Sequence, residues 1–118
     1  MKKVLWVPLI FTFLLSAQED FISHYEYGEM LYANPRGVSC SQCHGENGEG
    51  KTIVTYMNGK KILKGADIRQ NTLEEMIVSV NSEHQIMPRY YLTDAEIKAI
   101  FDYLRKKNKG YLSQKERK

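Results

Sequence analysis

Apolar residues recur at helical spacing in three segments of the chain, and each segment begins with the same capping signature. A serine or threonine is followed three residues later by glutamate, which is typical of a helix start. The capping residues are Ser23, Thr72 and Thr93. The predicted helices are 23–33, 72–81 and 93–110. Strand signals are weak and limited to 52–56 and 61–63, so the pattern predicts an all-α fold of three main helices.

The first seventeen residues follow a different pattern. Two lysines precede an apolar stretch from Val4 to Leu15, and small Ser16 and Ala17 close it. This order is typical of a secretory signal peptide cut after Ala17. An uncleaved membrane anchor stays open as the alternative, although the stretch is shorter than the roughly 20 residues of a spanning helix. The sequence therefore predicts a signal peptide over 1–17, one domain over 18–107 and a basic tail over 108–118.

Charge is distributed unevenly along the predicted mature chain. Residues 105–118 carry seven basic side chains and a single acid, Glu116, whereas residues 18–104 carry thirteen acids and eight basic residues. Such a basic tail can contact phosphate groups on a membrane surface. The simpler interpretation is a solvated, frayed end. No aromatic-rich basic surface accompanies the tail, so nucleic acid is not a predicted partner.

Both cysteines of the chain lie in one short motif, Cys40-Ser41-Gln42-Cys43-His44. A thioredoxin-like pair would follow a strand within a βαβ unit, and the pattern around this motif shows none. A zinc site would need a fourth ligand from the distant His24 or His84. A histidine directly after the second cysteine is the signature of covalent haem attachment.

The spacing of the motif suits that chemistry. Two intervening residues let the sulfurs of Cys40 and Cys43 reach two vinyl groups on neighbouring edges of one porphyrin. His44, next in the chain, then lies under the ring as an axial iron ligand. The long segment 45–71 would be ordered by wrapping the edge of the ring. Its apolar residues, expected to pack there, are Tyr56, Met57, Ile62 and Leu63.

From about Tyr25 to Lys107 the chain resembles a bacterial class I c-type cytochrome, a monohaem fold of three main helices and long loops. The features that carry the resemblance are CSQCH with the glycine-rich segment after it, Met87-Pro88 before LTDAEI, and the pairs Gly28 with Tyr32 and Ile100 with Tyr103. In that family these two pairs mark the crossing of the first and last helices. Together with the predicted signal peptide, the resemblance implies a periplasmic protein.

The resemblance implies a ligand set for the iron. One haem c is held by Cys40 and Cys43, with His44 and Met87 as axial ligands. His84 and Met57 stay open as rivals of Met87. The family often places a proline carbonyl against the histidine ligand and a tryptophan against a haem propionate. Neither residue is available here, so the histidine's acceptor is unassigned, and Tyr56, Tyr90, Tyr91 and Arg89 are the open candidates for the propionate.

A haem with both axial positions filled leaves no substrate site, so we expect a one-electron carrier of the respiratory chain rather than an enzyme. We expect a monomer that docks weakly on redox protein partners through basic residues around the haem edge. The candidates are Arg36, Lys51, Lys60, Lys61, Lys64 and Arg89. A haem subunit of a membrane-associated dehydrogenase or oxidase is the first alternative. A haem enzyme or gas sensor with a labile sixth ligand is the second.

Overall fold

Five helices and one hairpin make up the part of the chain that the computed structural model describes, residues 22–118. In chain order the elements are α1 (His24–Ala33), α2 (Cys40–His44), β1 (Thr52–Tyr56), β2 (Lys61–Lys64), α3 (Leu73–Asn81), α4 (Asp94–Lys107) and α5 (Lys109–Glu116). The two strands pair antiparallel, with an irregularity between Thr52 and Val54. The predicted signal peptide, residues 1–17, and Phe21 lie outside the described residues. Within 22–118, no helix has both the length and the apolar character needed to cross a membrane.

All three predicted helix starts are confirmed by their capping hydrogen bonds. The hydroxyl of Ser23 accepts a bond from the backbone N–H of Glu26. Thr72 and Thr93 form complete capping boxes, in which the glutamate three residues later also accepts from the cap's own N–H. These bonds satisfy N–H groups that have no partner inside the helix, so the local sequence determines where each helix begins.

The end of the last long helix differs from the prediction. α4 ends at Lys107, three residues before Gly110, because Asn108 caps it. The Asn108 side-chain amide donates to the carbonyls of Leu104 and Asn47, at 2.8 and 2.7 Å. Asn108 is buried, and its two bonds tie the helix end to the segment after the haem motif.

The basic tail is a helix, so its interpretation as a frayed end is wrong. α5 packs on the segment before α3 through side chains that the sequence pattern did not single out. The guanidinium of Arg69 stacks 3.7 Å from the centre of the Tyr111 ring. Gln70 donates to the Tyr111 hydroxyl and accepts from Lys115 at 2.6 Å. These contacts order the tail as far as its last turn.

Helices α1 and α4 cross at Gly28. A Cβ atom added there would overlap the carbonyl oxygen of Ala99 and would lie 2.7 Å from Cβ of Tyr103. The Tyr103 ring packs between those of Tyr25 and Tyr32, with centroids 5.1 and 5.7 Å away. The predicted crossing is therefore present, with Ala99 rather than Ile100 as the backbone partner of Gly28.

The buried core lies where α1, α3 and α4 meet. Its members are Leu31, Tyr32, Met76, Tyr90, Leu92, Ile97, Ala99, Ile100, Tyr103 and Leu104. Leu92, directly before the cap of α4, and Ile97, in its first turn, both belong to it. The β1–β2 hairpin lies outside this core, since β1 is exposed along its whole length.

Candidate functional site

A cavity of about 360 Å³ lies between α2, β2, α3 and the loop from 82 to 92. Cys40, Cys43, His44 and Met87, the four predicted haem-binding residues, all line it. His84 also lines the cavity, whereas Met57 does not. Residues more than forty positions apart in the sequence are thus brought to one site, whose volume is typical of a small-molecule or cofactor pocket.

The walls of this cavity are mainly apolar. The apolar lining residues include Ile53, Leu63, Ile68, Met76, Val80, Ile86, Leu92 and Ile100. Of the four residues expected from the sequence to pack on a haem, Leu63 is placed in the wall, but Tyr56, Met57 and Ile62 are exposed and lie outside it. That expectation was wrong for these three residues, because Ile62 lies on the face of the hairpin opposite Leu63, and Tyr56 and Met57 lie further toward its turn. An apolar wall with a few sulfur and nitrogen donors suits a porphyrin ring.

Helix α2 presents the two cysteines together. Cys40 and Cys43 are three residues apart and therefore lie on one face of a helical turn. Both are half-buried free thiols that form no disulfide. Burial raises the pKa of the Cys40 thiol to about 11. An attacking cysteine in disulfide exchange needs a lowered pKa, so this environment disfavours that role for Cys40.

A zinc centre also finds no support. Among residues 22–118, no three His, Cys, Asp or Glu side chains lie close enough together to hold a metal ion. Of the distant histidines considered as a fourth zinc ligand, His24 does not line the cavity and bonds the Asp102 carboxylate at 2.8 Å, whereas His84 lines it and bonds the Ser79 carbonyl at 2.7 Å. The donor set in the cavity thus fits a haem and does not fit zinc.

The structure identifies the acceptor for the predicted histidine ligand. His44 Nδ1 lies 2.7 Å from the carbonyl oxygen of Ala66, which can only accept, so Nδ1 carries the proton. The lone pair is then on Nε2, the nitrogen that a metal would take. A backbone carbonyl in this position fixes the ring orientation and raises the basicity of the ligand. The Ala66 carbonyl is thus the hydrogen-bond acceptor that a proline carbonyl often provides in the family.

Ala66 reaches His44 because the hairpin folds back on α2. The N–H of Lys51 donates to the Cys43 carbonyl at 3.1 Å, and the N–H of Gly65 donates to the carbonyl of Lys51 at 2.8 Å. A Cβ at Gly65 would overlap the Cys43 carbonyl. Only glycine permits this approach, so Gly65 places Ala66 under the histidine. Sequence reasoning missed both residues, since their position depends on the register of the hairpin.

Two further hydrogen bonds hold the end of α2. The Tyr32 hydroxyl donates to the Gly45 carbonyl at 2.5 Å, which links α1 to the residue directly after His44. The N–H of Gly50 donates to the His44 carbonyl at 2.7 Å. Burial raises the pKa of Tyr32, so its hydroxyl keeps the proton that this bond requires.

Met87 approaches the cavity from a loop with few constraints. The described chain contains no hydrogen bond that involves residues 85–89. The loop is held at its C-terminal side by Tyr90, whose hydroxyl donates to the Val38 carbonyl at 2.6 Å and whose N–H donates to the carbonyl of Val80 at 3.3 Å. Pro88 restricts the backbone of Met87 to extended conformations.

His84, the rival of Met87 for the iron, also lines the cavity. The Ser79 carbonyl can only accept a hydrogen bond, so His84 Nε2 carries the proton and is occupied. A metal would bind His84 either through Nδ1, which keeps the lone pair, or through Nε2 after this bond breaks. Of the four residues considered for a haem propionate, Tyr90 alone lines the cavity. Lys64, expected from the sequence only as a docking residue, also lines the cavity, as do Asn71, Ser79 and Gln85, which the sequence did not single out.

Paired thiols on a helical turn, a carbonyl-bonded histidine and a thioether around an apolar cavity define the class as a c-type haem domain. A family model described as Cytochrome c matches residues 25–108. This match covers more than half of the chain, and the protein belongs to the cytochrome c family. A search of curated proteins and a search of solved structures each found no match. Membership of this family implies haem-based electron transfer and a covalently bound haem c.

Proposed function

We propose that this protein is a periplasmic one-electron carrier with a single haem c. Cys40 and Cys43 hold the haem through thioether bonds, and His44 and Met87 are its axial ligands. The observation that carries the proposal is the convergence of these four residues on one cavity, with His44 Nδ1 bonded to Ala66. The single CSQCH motif supports one haem, and the signal-peptide pattern of residues 1–17 supports export.

The residues explain why such a site would carry electrons rather than bind a substrate. When bound, the haem supplies an iron that exchanges one electron. The neutral, soft thioether of Met87 favours ferrous iron, and the potential is accordingly high. His44 is fixed by Ala66 and changes little when the charge of the site changes. The apolar walls exclude water, which keeps reorganisation small.

Docking on redox partners would use exposed basic residues near the cavity. Arg36 is a poor candidate, since its guanidinium bonds the Glu96 carboxylate at 2.7 Å and the carbonyl of Tyr91. Lys64 lines the cavity, and Lys51 follows the glycine-rich segment after His44. A small interface steered by these charges fits a monomer that must bind and release two partners.

The first experiment determines whether the haem is covalently attached and whether the iron has a free position for an added ligand. We expect a mature mass equal to residues 18–118 plus one haem, and haem that resists acid–acetone extraction. The reduced protein should not bind carbon monoxide. Cys40→Ala is the matched control, because it leaves His44 and Met87 in place but removes one attachment point. Extractable haem in the parent protein would contradict covalent attachment, and ready binding of carbon monoxide would favour a haem enzyme or gas sensor.

A second measurement separates a free carrier from a subunit of a larger complex. A free carrier is released from cells with the periplasmic fraction at low salt and is reduced reversibly in solution. If the protein instead co-purifies with a dehydrogenase or oxidase through salt washes, the carrier function is wrong and the subunit alternative holds. Neither outcome depends on the identity of the axial ligands.

A further inference from the structure

The β1–β2 hairpin exposes a set of large apolar side chains that the haem site does not use. Val54, Tyr56, Met57 and Ile62 are exposed to 46, 47, 60 and 61%. We call these four residues the hairpin patch. Val54 and Tyr56 point to one face of the strand pair, whereas Ile62, opposite Thr55, points to the other. The patch therefore surrounds the end of the hairpin instead of covering one side of it.

The turn at the end of the hairpin is unfavourable in water for two reasons. Met57 has φ of +56°, a left-handed conformation that is unfavourable for a residue with a long side chain. Its side chain is also one of the most exposed apolar groups in the described chain. Glycine or asparagine would suit this backbone better. Most of the Met57 side chain is exposed, so it is available for a contact outside the chain.

The same segment concentrates positive charge. Residues 51–64 contain Lys51, Lys60, Lys61 and Lys64 and no acid. These are four of the eight basic residues between 18 and 104, a region that carries thirteen acids. None of the four lysines forms a salt bridge within residues 22–118. The hairpin is thus a local cation on an otherwise acidic body, and it is complementary to an anionic surface.

We propose that the hairpin binds the surface of a bilayer that contains anionic phospholipids. The hairpin patch enters the headgroup region, and Lys60 and Lys61 bind lipid phosphates. An acidic protein would have to enclose apolar groups on both faces of a projecting hairpin, whereas lipid can surround them. Tyrosine and lysine beside apolar groups are the residues typical of a membrane interface.

This contact would orient the haem site. Ile53 and Leu63, in the same two strands, line the cavity, so the wall formed by the hairpin would face the membrane. Electron exchange with partners in the membrane would then take place over a short distance, an expectation that rests on the proposed function. The lipid contact itself does not rest on it, because the experiment below detects binding and not electron transfer.

The test uses the holoprotein and sedimentation with lipid vesicles. We expect binding to vesicles of phosphatidylglycerol mixed with phosphatidylcholine, weakening as salt rises, and little binding to pure phosphatidylcholine. Lys60→Gln with Lys61→Gln should weaken binding by roughly tenfold or more. Met57→Gly should weaken it severalfold, while leaving the haem spectrum and the unfolding midpoint unchanged or improved, because glycine relieves the backbone.

Matched controls remove equivalent groups elsewhere. Val78→Ser deletes an apolar side chain with 60% exposure on α3, and Lys115→Gln with Lys118→Gln removes two charges from the C-terminal region. Both controls should bind vesicles within about twofold of the parent protein. If the C-terminal variant abolishes binding and the hairpin variants retain it, the proposal is wrong and α5 is the contact. The proposal would also be wrong if the parent protein did not bind the vesicles at low salt. The hairpin lysines would then be needed only for reaction with acidic proteins.

Discussion

The two sides of the cavity are built differently. On one side His44 is held by the Ala66 carbonyl, and the backbone around it is tied to α1 and to the hairpin. On the other side Met87 lies in a stretch, residues 85–89, that forms no hydrogen bond within the described chain. One side positions a ligand with the protein's own bonds, and the other presents a ligand from a loop anchored mainly at Tyr90.

The difference indicates which part of the site the protein builds by itself. On the His44 side, the hydrogen bond to Ala66 determines the tautomer and the orientation of the imidazole ring before a cofactor binds. A metal would therefore meet a preorganised donor. The Met87 side is held by packing of Met87 against the core and not by hydrogen bonds of residues 85–89, so local opening there breaks few hydrogen bonds. We therefore expect changes on the His44 side to affect folding and the haem together, and changes on the Met87 side to affect mainly the sixth ligand.

The largest effect is expected at Gly65. Gly65→Val would force the hairpin away from the Cys43 carbonyl and would move Ala66 out of reach of His44. We expect a loss of about 3 kcal/mol or more in the free energy of unfolding, together with a changed reduction potential. Urea denaturation and a potentiometric titration measure the two effects. A parent-like midpoint and potential would show that the hairpin does not support the histidine.

A smaller effect is expected at Gly28, which lies in the helix crossing and outside the cavity. Gly28→Ala should lower the free energy of unfolding by about 1–3 kcal/mol, because its Cβ meets the Ala99 carbonyl. The haem spectrum should stay unchanged. Gly110→Ala in α5, where a Cβ meets nothing within 4 Å, is the control and should be neutral or gain up to about 1 kcal/mol. Equal midpoints for the two variants would contradict the tight crossing.

The smallest effects are expected from removing one hydrogen bond on the Met87 side and one on the His44 side of the cavity. Tyr90→Phe removes the bond to Val38 that anchors the Met87 loop, and Tyr32→Phe removes the bond to Gly45 behind His44. Each should cost about 1 kcal/mol of stability. Only Tyr90→Phe should increase the affinity of the oxidised protein for added imidazole, which competes with Met87. If Tyr32→Phe gives the same increase, the asymmetry between the sides is wrong.

The sequence predicted those parts of the structure that depend on local signals. Capping boxes and apolar spacing were enough for the starts of α1, α3 and α4. The cysteine motif was enough to predict that the paired thiols and His44 share one site, although the short helix α2 that carries them was not predicted. The same signals failed at Gly110, because a buried Asn108 side chain ends α4 earlier through a bond to distant Asn47. Local spacing cannot report such a contact.

Non-local placement explains the other misses. Ala66 carries no side-chain chemistry and acts through its backbone, so no residue pattern could have identified it. Tyr56 and Met57 were expected to pack on a haem because they are apolar residues in the segment that follows the motif. Their outward position depends on the turn between the strands, where Met57, Asn58 and Gly59 all have positive φ.

The sixth ligand is the centre of the account, and the spectra and potentials of two single variants test it directly. Met87→Ala should keep covalent haem but lose the weak far-red sulfur–iron absorption band, with a lower potential and a reduced form that binds carbon monoxide. His84→Ala, which also changes a residue of the cavity wall, should keep the band and the potential of the parent protein. A lost low-spin spectrum in His84→Ala with an unaltered spectrum in Met87→Ala would mean two histidine ligands, and the proposed high-potential carrier would be wrong.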